Sequence, residues 1–234
     1  MSEPLVLLGG PLTDARIFLP QLLGLASERP LTLPRAVNPG SVEAMAEALL
    51  DDMPARFALL GHGTGGMAAM EVLRRAPERV SALILLDTDA LTDPPALSVA
   101  RENAVVKARA GKFEQVIADD PCVGDYAARG DCDDLAALMA GMLREAGAEG
   151  YARHVRALQR RPDQQRVLRL AKLPMLLIAG AADPVHPARR MELIAGLVPK
   201  SRLLLIPGAG HLVTLEAPDE VNRAVSEFLS ETAT

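Results

Sequence analysis

His211 lies in Gly208-Ala209-Gly210-His211, and Asp183 lies 28 residues earlier in Gly180-Ala181-Ala182-Asp183. Each follows an apolar run. An imidazole exchanges protons near neutral pH, and a carboxylate held against it fixes its tautomer and stabilises its charged form. A third stretch, Gly61-His62-Gly63-Thr64-Gly65-Gly66, separates the apolar run Phe57-Ala58-Leu59-Leu60 from a helix-like run between Met67 and Arg75. Strand, sharp glycine-rich turn and helix form the setting of the nucleophile elbow G-x-S-x-G. Glycines suit that turn because its backbone is strained and the helix must pack closely on the strand. At the apex, where an elbow presents serine, the sequence has Gly63. The chain reads as built for acyl transfer but lacking the atom that attacks.

These residues need a scaffold that brings them together. Six short apolar runs read as buried strands: Leu5–Leu8, Leu31–Leu33, Phe57–Leu60, Ala82–Leu86, Met175–Ile178 and Leu203–Ile206. Continuous apolarity, rather than alternation, is what a parallel sheet covered on both faces requires. Helical patterns lie between several of them. Ser41 is placed to cap a helix carrying Val42, Met45, Ala46, Leu49 and Leu50 on one side, and a last helix begins near Pro218-Asp219. The alternation predicts a doubly wound, mainly parallel α/β sheet of about six strands. It breaks from about Asp93 to Arg161, where helical segments are punctuated by Gly111, Pro121, Gly124, Gly130 and Gly150. Residues 93–161 therefore read as an inserted helical cap, with 1–92 and 162–234 forming the core.

Composition excludes several classes of function. The 234 residues are enough for one large α/β domain, and 49% apolar content argues against disorder. The net charge is −5, with no Lys/Arg cluster dense enough to follow a phosphate backbone, so nucleic-acid binding is disfavoured. Leu173 to Ala182 is among the longest apolar runs and is too short to span a bilayer. The start, Met1-Ser2-Glu3-Pro4, lacks a basic leader, which points to a cytoplasmic protein. Cys122 and Cys132 are the only cysteines and read as thiols, with no ligand spacing around them for a metal.

With these stretches in place, the chain resembles the α/β-hydrolase superfamily, above all small carboxylesterases and lactonases with a helical lid. Leu60 to Met67 resembles the elbow, and Ala76-Pro77-Glu78-Arg79-Val80 with Leu83 to Asp87 resembles the next helix end and strand. Gly180 to Pro187 resembles the acid loop, and Gly208 to Pro218 the histidine loop. The resemblance covers nearly the whole chain, whose start falls at what would be the family's third strand. It implies Asp183 and His211 as catalytic acid and base partner, in the family's order. Gly63 takes the nucleophile position. The Thr64 N–H, with Gly65 beside it, is implied as an oxyanion donor, while the Thr64 hydroxyl points away from His211. The second donor is implied in the loop Gly9-Gly10-Pro11, where Pro11 has no N–H to give unless the loop shifts and Leu12 donates. His62 is expected to pack behind the elbow, His186 and His154 to be loop and cap residues, and Asp87 and Asp89 to be fallback acids.

Three functions compete. The first is a cofactor-independent enzyme acting on a small, mostly apolar carbonyl compound through the His211–Asp183 pair: proton transfer, decarboxylation, C–C cleavage, cyclisation or direct water attack. The second is an ester or lactone hydrolase whose serine at 63 was replaced by glycine. The third is a non-catalytic protein that keeps a lidded pocket. No metal or cofactor is called for, the expected partner is a small molecule, and the oligomeric state is left open.

Overall fold

A computed structural model describes residues 2–35, 37–129 and 132–232. Six strands form one parallel sheet: β1 (Leu5–Leu8), β2 (Leu31–Thr32), β3 (Phe57–His62), β4 (Val80–Leu86), β5 (Met175–Gly180) and β6 (Arg202–Ile206). Their order is β2-β1-β3-β4-β5-β6. Every neighbouring pair is parallel, with Leu7 beside Leu60, Leu60 beside Ile84 and Ile84 beside Leu176 across the middle. This is the doubly wound α/β sheet that the apolar runs predict.

The continuous apolarity of the strands has a direct cause in packing. Alternate side chains point to opposite faces, and both faces are covered. Leu5, Leu7, Leu60, Ile84 and Ile178 meet Val221, Val225, Phe228 and Leu229 of the last helix. Val6, Leu8, Leu59, Leu85 and Leu177 meet Met45, Met67, Met70 and Met191 on the other side. The helices around the sheet are α1 (Leu19–Leu25), α2 (Val42–Leu50) and α3 (Thr64–Arg75), then, after β4, α4 (Pro95–Lys107), α5 (Phe113–Ala118), α6 (Pro121–Arg129), α7 (Asp133–Arg160) and α8 (Gln165–Leu170). They end with α9 (Arg189–Leu197), α10 (Val213–Glu216) and α11 (Pro218–Thr232). Ser41 caps α2 as expected, its Oγ accepting the Ala44 N–H at 3.1 Å.

Between β4 and β5 the described residues form helices and no strand. Two turn expectations fail there. Gly124 lies inside α6 and Gly150 inside α7. Gly111 (φ +80°) breaks the helices as expected, and a further break falls at Gly147 (φ +70°); at both a left-handed backbone favours glycine. Gly130 lies outside the described residues.

The loops that follow β1, β3, β4, β5 and β6 all leave the carboxyl edge of the sheet, where ligands bind in open α/β folds. The turn after β3 is the tightest. A Cβ on Gly61 would come within 2.6 Å of the Gly65 carbonyl oxygen, and one on Gly65 within 2.0 Å of the Leu8 oxygen. Only hydrogen at these positions lets α3 sit this close to β1 and β3.

Candidate active site

Gly63 caps α3 with φ +54° and ψ −121°. Its N–H donates to the Leu86 carbonyl at 3.0 Å, and its own carbonyl accepts from Gly66, Met67 and the Thr88 hydroxyl. The chain therefore turns sharply from strand to helix and presents position 63 outward. A Cβ built there would lie 3.4 Å from Nε2 of His211 and 3.6 Å from its Cε1.

The histidine comes from the loop after β6. Its Nδ1 lies 2.9 Å from Oδ2 of Asp183, which comes from the loop after β5. The other oxygen of Asp183 accepts the N–H groups of Val185 at 2.7 Å and His186 at 3.0 Å. Burial alone would raise the Asp183 pKa, but the His211 charge and hydrogen bond outweigh it and hold the carboxyl down at about 2. Burial likewise acts to lower the His211 pKa, and the opposing carboxylates, Asp183 first, raise it to about 9. The direction for the pair is toward an imidazolium facing Gly63, favoured by the carboxylate behind it.

The loop itself is braced. The Glu216 carboxylate accepts the Gly210 N–H at 2.8 Å and the Leu212 N–H at 3.1 Å. The Tyr126 hydroxyl, from α6, donates to Glu216 at 2.7 Å and accepts the Leu212 N–H at 2.7 Å. His211 is thus held on both flanks of its own backbone. Tyr126 carries no motif that singles it out from sequence, and Glu216 lies within the stretch from Gly208 to Pro218, whose resemblance assigns it no role.

Imidazoles flank His211 on two sides. His62 is buried, its ring centroid 4.9 Å away, and its Nε2 lies 2.6 Å from the His211 carbonyl. A carbonyl only accepts, so Nε2 of His62 carries the proton. Burial, then the His211 charge, lowers its pKa to about 3. His186 is also buried, 5.5 Å from His211 by ring centroids, and burial drives its pKa well down. Both are neutral neighbours of the charged pair.

The fallback acids have other tasks. Asp87, with φ +43°, accepts the Gly180 N–H at 2.9 Å and the Val213 N–H at 3.3 Å, and so ties β5 to the histidine loop. Asp89 accepts the Leu91 N–H at 2.9 Å and lies 3.6 Å from both Arg161 and Arg190.

A cavity of about 430 Å³ opens over these groups. Gly10, Gly63, Thr64, His186 and His211 form its floor on the sheet side, and α4 and α7 supply Leu97, Arg101, Ala104, His154, Val155 and Leu158. The N–H groups of Thr64 and Gly65 open α3 and have no acceptor among the described residues, as the first turn of a helix dictates. The Thr64 side chain packs toward Gly10, where a Cβ would meet the Thr64 Cβ at 3.3 Å and its hydroxyl at 3.6 Å. After β1 the chain closes a turn in which Thr13 donates its N–H and its hydroxyl to the Gly10 carbonyl, both at 3.0 Å. That turn puts Gly10, Leu12 and Thr13 on the cavity wall and leaves Pro11 off it. That Thr13 stands on this wall is not legible from sequence register, because its side chain closes the turn onto a carbonyl three residues back. No cluster of metal-ligating side chains occurs among the described residues. None of their helices is long and apolar enough to cross a membrane. No disulfide joins Cys122 and Cys132.

Known proteins are similar to this chain in sequence and in fold. The chain is 28% identical to the dihydrolipoyllysine-residue acetyltransferase component of the acetoin cleaving system of Pseudomonas putida, over 97% of its own length. It spans only 64% of that relative's length. It is 26% identical to the pimeloyl-[acyl-carrier protein] methyl ester esterase of Aromatoleum aromaticum, over 77% of this chain and 76% of the relative. The structure matches a thermophilic esterase from Thermogutta terrifontis with a TM-score of 0.88 and 25% identity, over 100% of this chain and 92% of that one. Residues 3–224 match the profile of the Alpha/beta hydrolase family. With the parallel sheet and the turn at Gly63, that match places the chain in the α/β-hydrolase family of enzymes.

Proposed function

We propose that this protein uses His211 and Asp183 for acid–base chemistry on a small carbonyl or ester compound, with no acyl intermediate at position 63. One observation carries the reading: His211 Nε2 lies 3.4 Å from where the Cβ of residue 63 would be, while its Nδ1 holds Asp183 at 2.9 Å. A proton donor and acceptor so placed serves whatever oxygen or carbon occupies the space beside Gly63. A water or a substrate oxygen fits there. The Thr64 and Gly65 N–H groups at the start of α3 favour negative charge on such an oxygen.

The charged pair suits reactions in which an oxyanion or enolate develops. The imidazolium form gives a proton to it, and the neutral form removes one from carbon or water. Proton transfer beside a carbonyl, decarboxylation, C–C cleavage, cyclisation and direct water attack all use this set. Residues 93–161 act in this reading as a cap that closes the cavity over the core formed by 1–92 and 162–234. Leu97, Ala104, Val155 and Leu158 favour a substrate apolar over much of its surface.

The test is a screen of β-keto acids, lactones and other small carbonyl compounds, followed by mass spectrometry. Conversion of one of them, abolished in His211→Ala, supports the reading. Conversion indifferent to His211 refutes it.

A second reading is an ester or lactone hydrolase whose nucleophilic serine at position 63 has been replaced by glycine. Its support is the backbone there. The φ +54°, ψ −121° conformation is a strained one that aims a side chain at His211, and the esterase from Thermogutta terrifontis matches this chain along its whole length. Gain of esterase activity in Gly63→Ser separates this reading from the first.

A further inference from the structure

We propose that the cap wall of the cavity carries an anion subsite, built on Arg101 with His154 on the same wall, that takes a carboxylate on the substrate remote from its reacting carbonyl. The proposal rests on the reading of this cavity as a substrate site.

Arg101 lies on the face of α4 that lines the cavity, together with Leu97, Ala100 and Ala104. Its side chain is only 18% exposed. Nε lies 2.8 Å from Oδ2 of Asp93 as a charge pair in which neither atom completes a hydrogen bond, and the two terminal nitrogens have no hydrogen-bond partner among the described residues. Asp93 is itself shared. Its other oxygen accepts Nη1 of Arg161 at 2.7 Å, and Arg161 is buried. One buried carboxylate thus serves two guanidiniums. The shortfall shows in Arg101 itself: burial draws its pKa down, and Asp93 and Asp120 do not make up the difference.

His154 supplies an independent sign. It projects from α7 into the same cavity, and its Nδ1 is buried with no hydrogen-bond partner. Burial, then the charges of Arg101 and Arg161, lowers its pKa to about 3, so the ring is neutral and has one N–H to give. A buried polar atom without a partner calls for an occupant. A carboxylate accepts from the Arg101 fork and from a neutral imidazole at once.

The nearby acids do not fill this role. Asp120 lines the cavity, but its Oδ1 accepts the N–H groups of Cys122 at 3.0 Å and Val123 at 3.4 Å, and burial raises its pKa. Asp119 lies 3.6 Å from Lys107, and both side chains are exposed.

The test compares monomethyl adipate, a half-ester with one carboxylate, with neutral dimethyl adipate by calorimetric titration at low and high salt. The half-ester should bind at least about tenfold more tightly, as hydrogen bonds to charged groups allow. That preference should vanish in Arg101→Gln and survive in part in Arg101→Lys. Equal affinity for the two esters, no binding of the half-ester at millimolar concentration, or a preference that persists in Arg101→Gln each overturns the subsite. Should Arg101→Gln fail to fold, the wild-type comparison and Arg101→Lys still decide. The same titration in His211→Ala separates this proposal from the catalytic reading. Anion preference without His211-dependent turnover of any compound leaves the subsite standing and removes the mechanism. His211-dependent turnover with no anion preference does the reverse.

Discussion

Position 63 and His211 face each other across 3.4 Å, measured from where a Cβ on Gly63 would sit to Nε2 of the imidazole. A serine hydroxymethyl at that place lies within reach of the base. Gly63→Ser should therefore gain covalent labelling by a fluorophosphonate that leaves the wild-type chain unlabelled at this position. The gain should have a cost. With φ +54° and ψ −121°, any side chain at 63 is strained, and the variant should lose about 1–3 kcal/mol of stability in urea denaturation. Gly63→Ala should lose a similar amount and gain no labelling.

Asp183 holds His211 through a 2.9 Å contact to Nδ1. Asp183→Asn removes the charge that outweighs burial. The His211 pKa, raised to about 9 in the parent, should fall below its ordinary 6.5, as read by the ring-proton shifts in NMR. Any turnover that uses the pair should drop by up to about 10⁴-fold. An unchanged pKa would mean that Asp87 or Asp120 supports the imidazole instead.

The same pair sets a pH signature in stability. The folded-state pKa of His211 is raised from 6.5 to about 9, so folding favours its protonated form. Its contribution is complete below pH 6.5 and is lost as pH rises through about 9. The Asp183 pKa is lowered from 3.8 to about 2, so its contribution is complete above pH 3.8 and is lost as pH falls through about 2. The stability difference between the wild type and His211→Gln should therefore shrink steadily above pH 6.5. Chemical denaturation at a series of pH values checks this. A difference that grows with pH would contradict it.

Tyr126 ties α6 to the histidine loop through Glu216 and the Leu212 N–H. Tyr126→Phe keeps the ring in its buried place and removes only the hydroxyl. It should cost about 0.5–1.5 kcal/mol in thermal or urea unfolding. Its effect on any His211-dependent turnover should exceed that on substrate affinity, because the loop it braces carries the imidazole and not the cavity wall.

The sheet is legible in the sequence because burial on both faces leaves few polar positions within a strand, and those, such as Ser81 and Arg202, lie near strand ends. Runs such as Phe57–Leu60 and Met175–Ile178 therefore stand out, although β2 closes after Thr32 and β3 runs on to His62. Gly63, Asp183 and His211 are legible for another reason: each lies in the loop that follows a strand, so the sheet edge gathers them whatever the rest of the chain does. The cavity wall formed by α4 and α7 is not legible in this way. Val99 and Val106 of α4 are exposed while Arg101 lines the cavity, so polarity does not mark the inner face of that helix. His154 is one imidazole in a long helix rich in Ala, Leu and Arg, and only packing gives it a direction. Asp87 read as a spare acid because it follows β4. That it also accepts N–H groups from β5 and the histidine loop depends on contacts 93 and 126 residues away.

The turn after β3 has a consequence for how substitutions are tolerated. Its glycines are not alike. A Cβ at 61 or 65 would strike backbone at 2.6 Å or less, and one at 66 would strike Thr88 at 2.7 Å. At 63 the nearest atom stands off at 3.4 Å and belongs to His211. The mould of the turn and the group it displays are therefore set by different residues. Saturation mutagenesis should find 61, 65 and 66 closed to every side chain, while 63 accepts small ones at a bearable loss of stability. A scaffold of this kind can exchange the atom at its apex without rebuilding the fold that presents it.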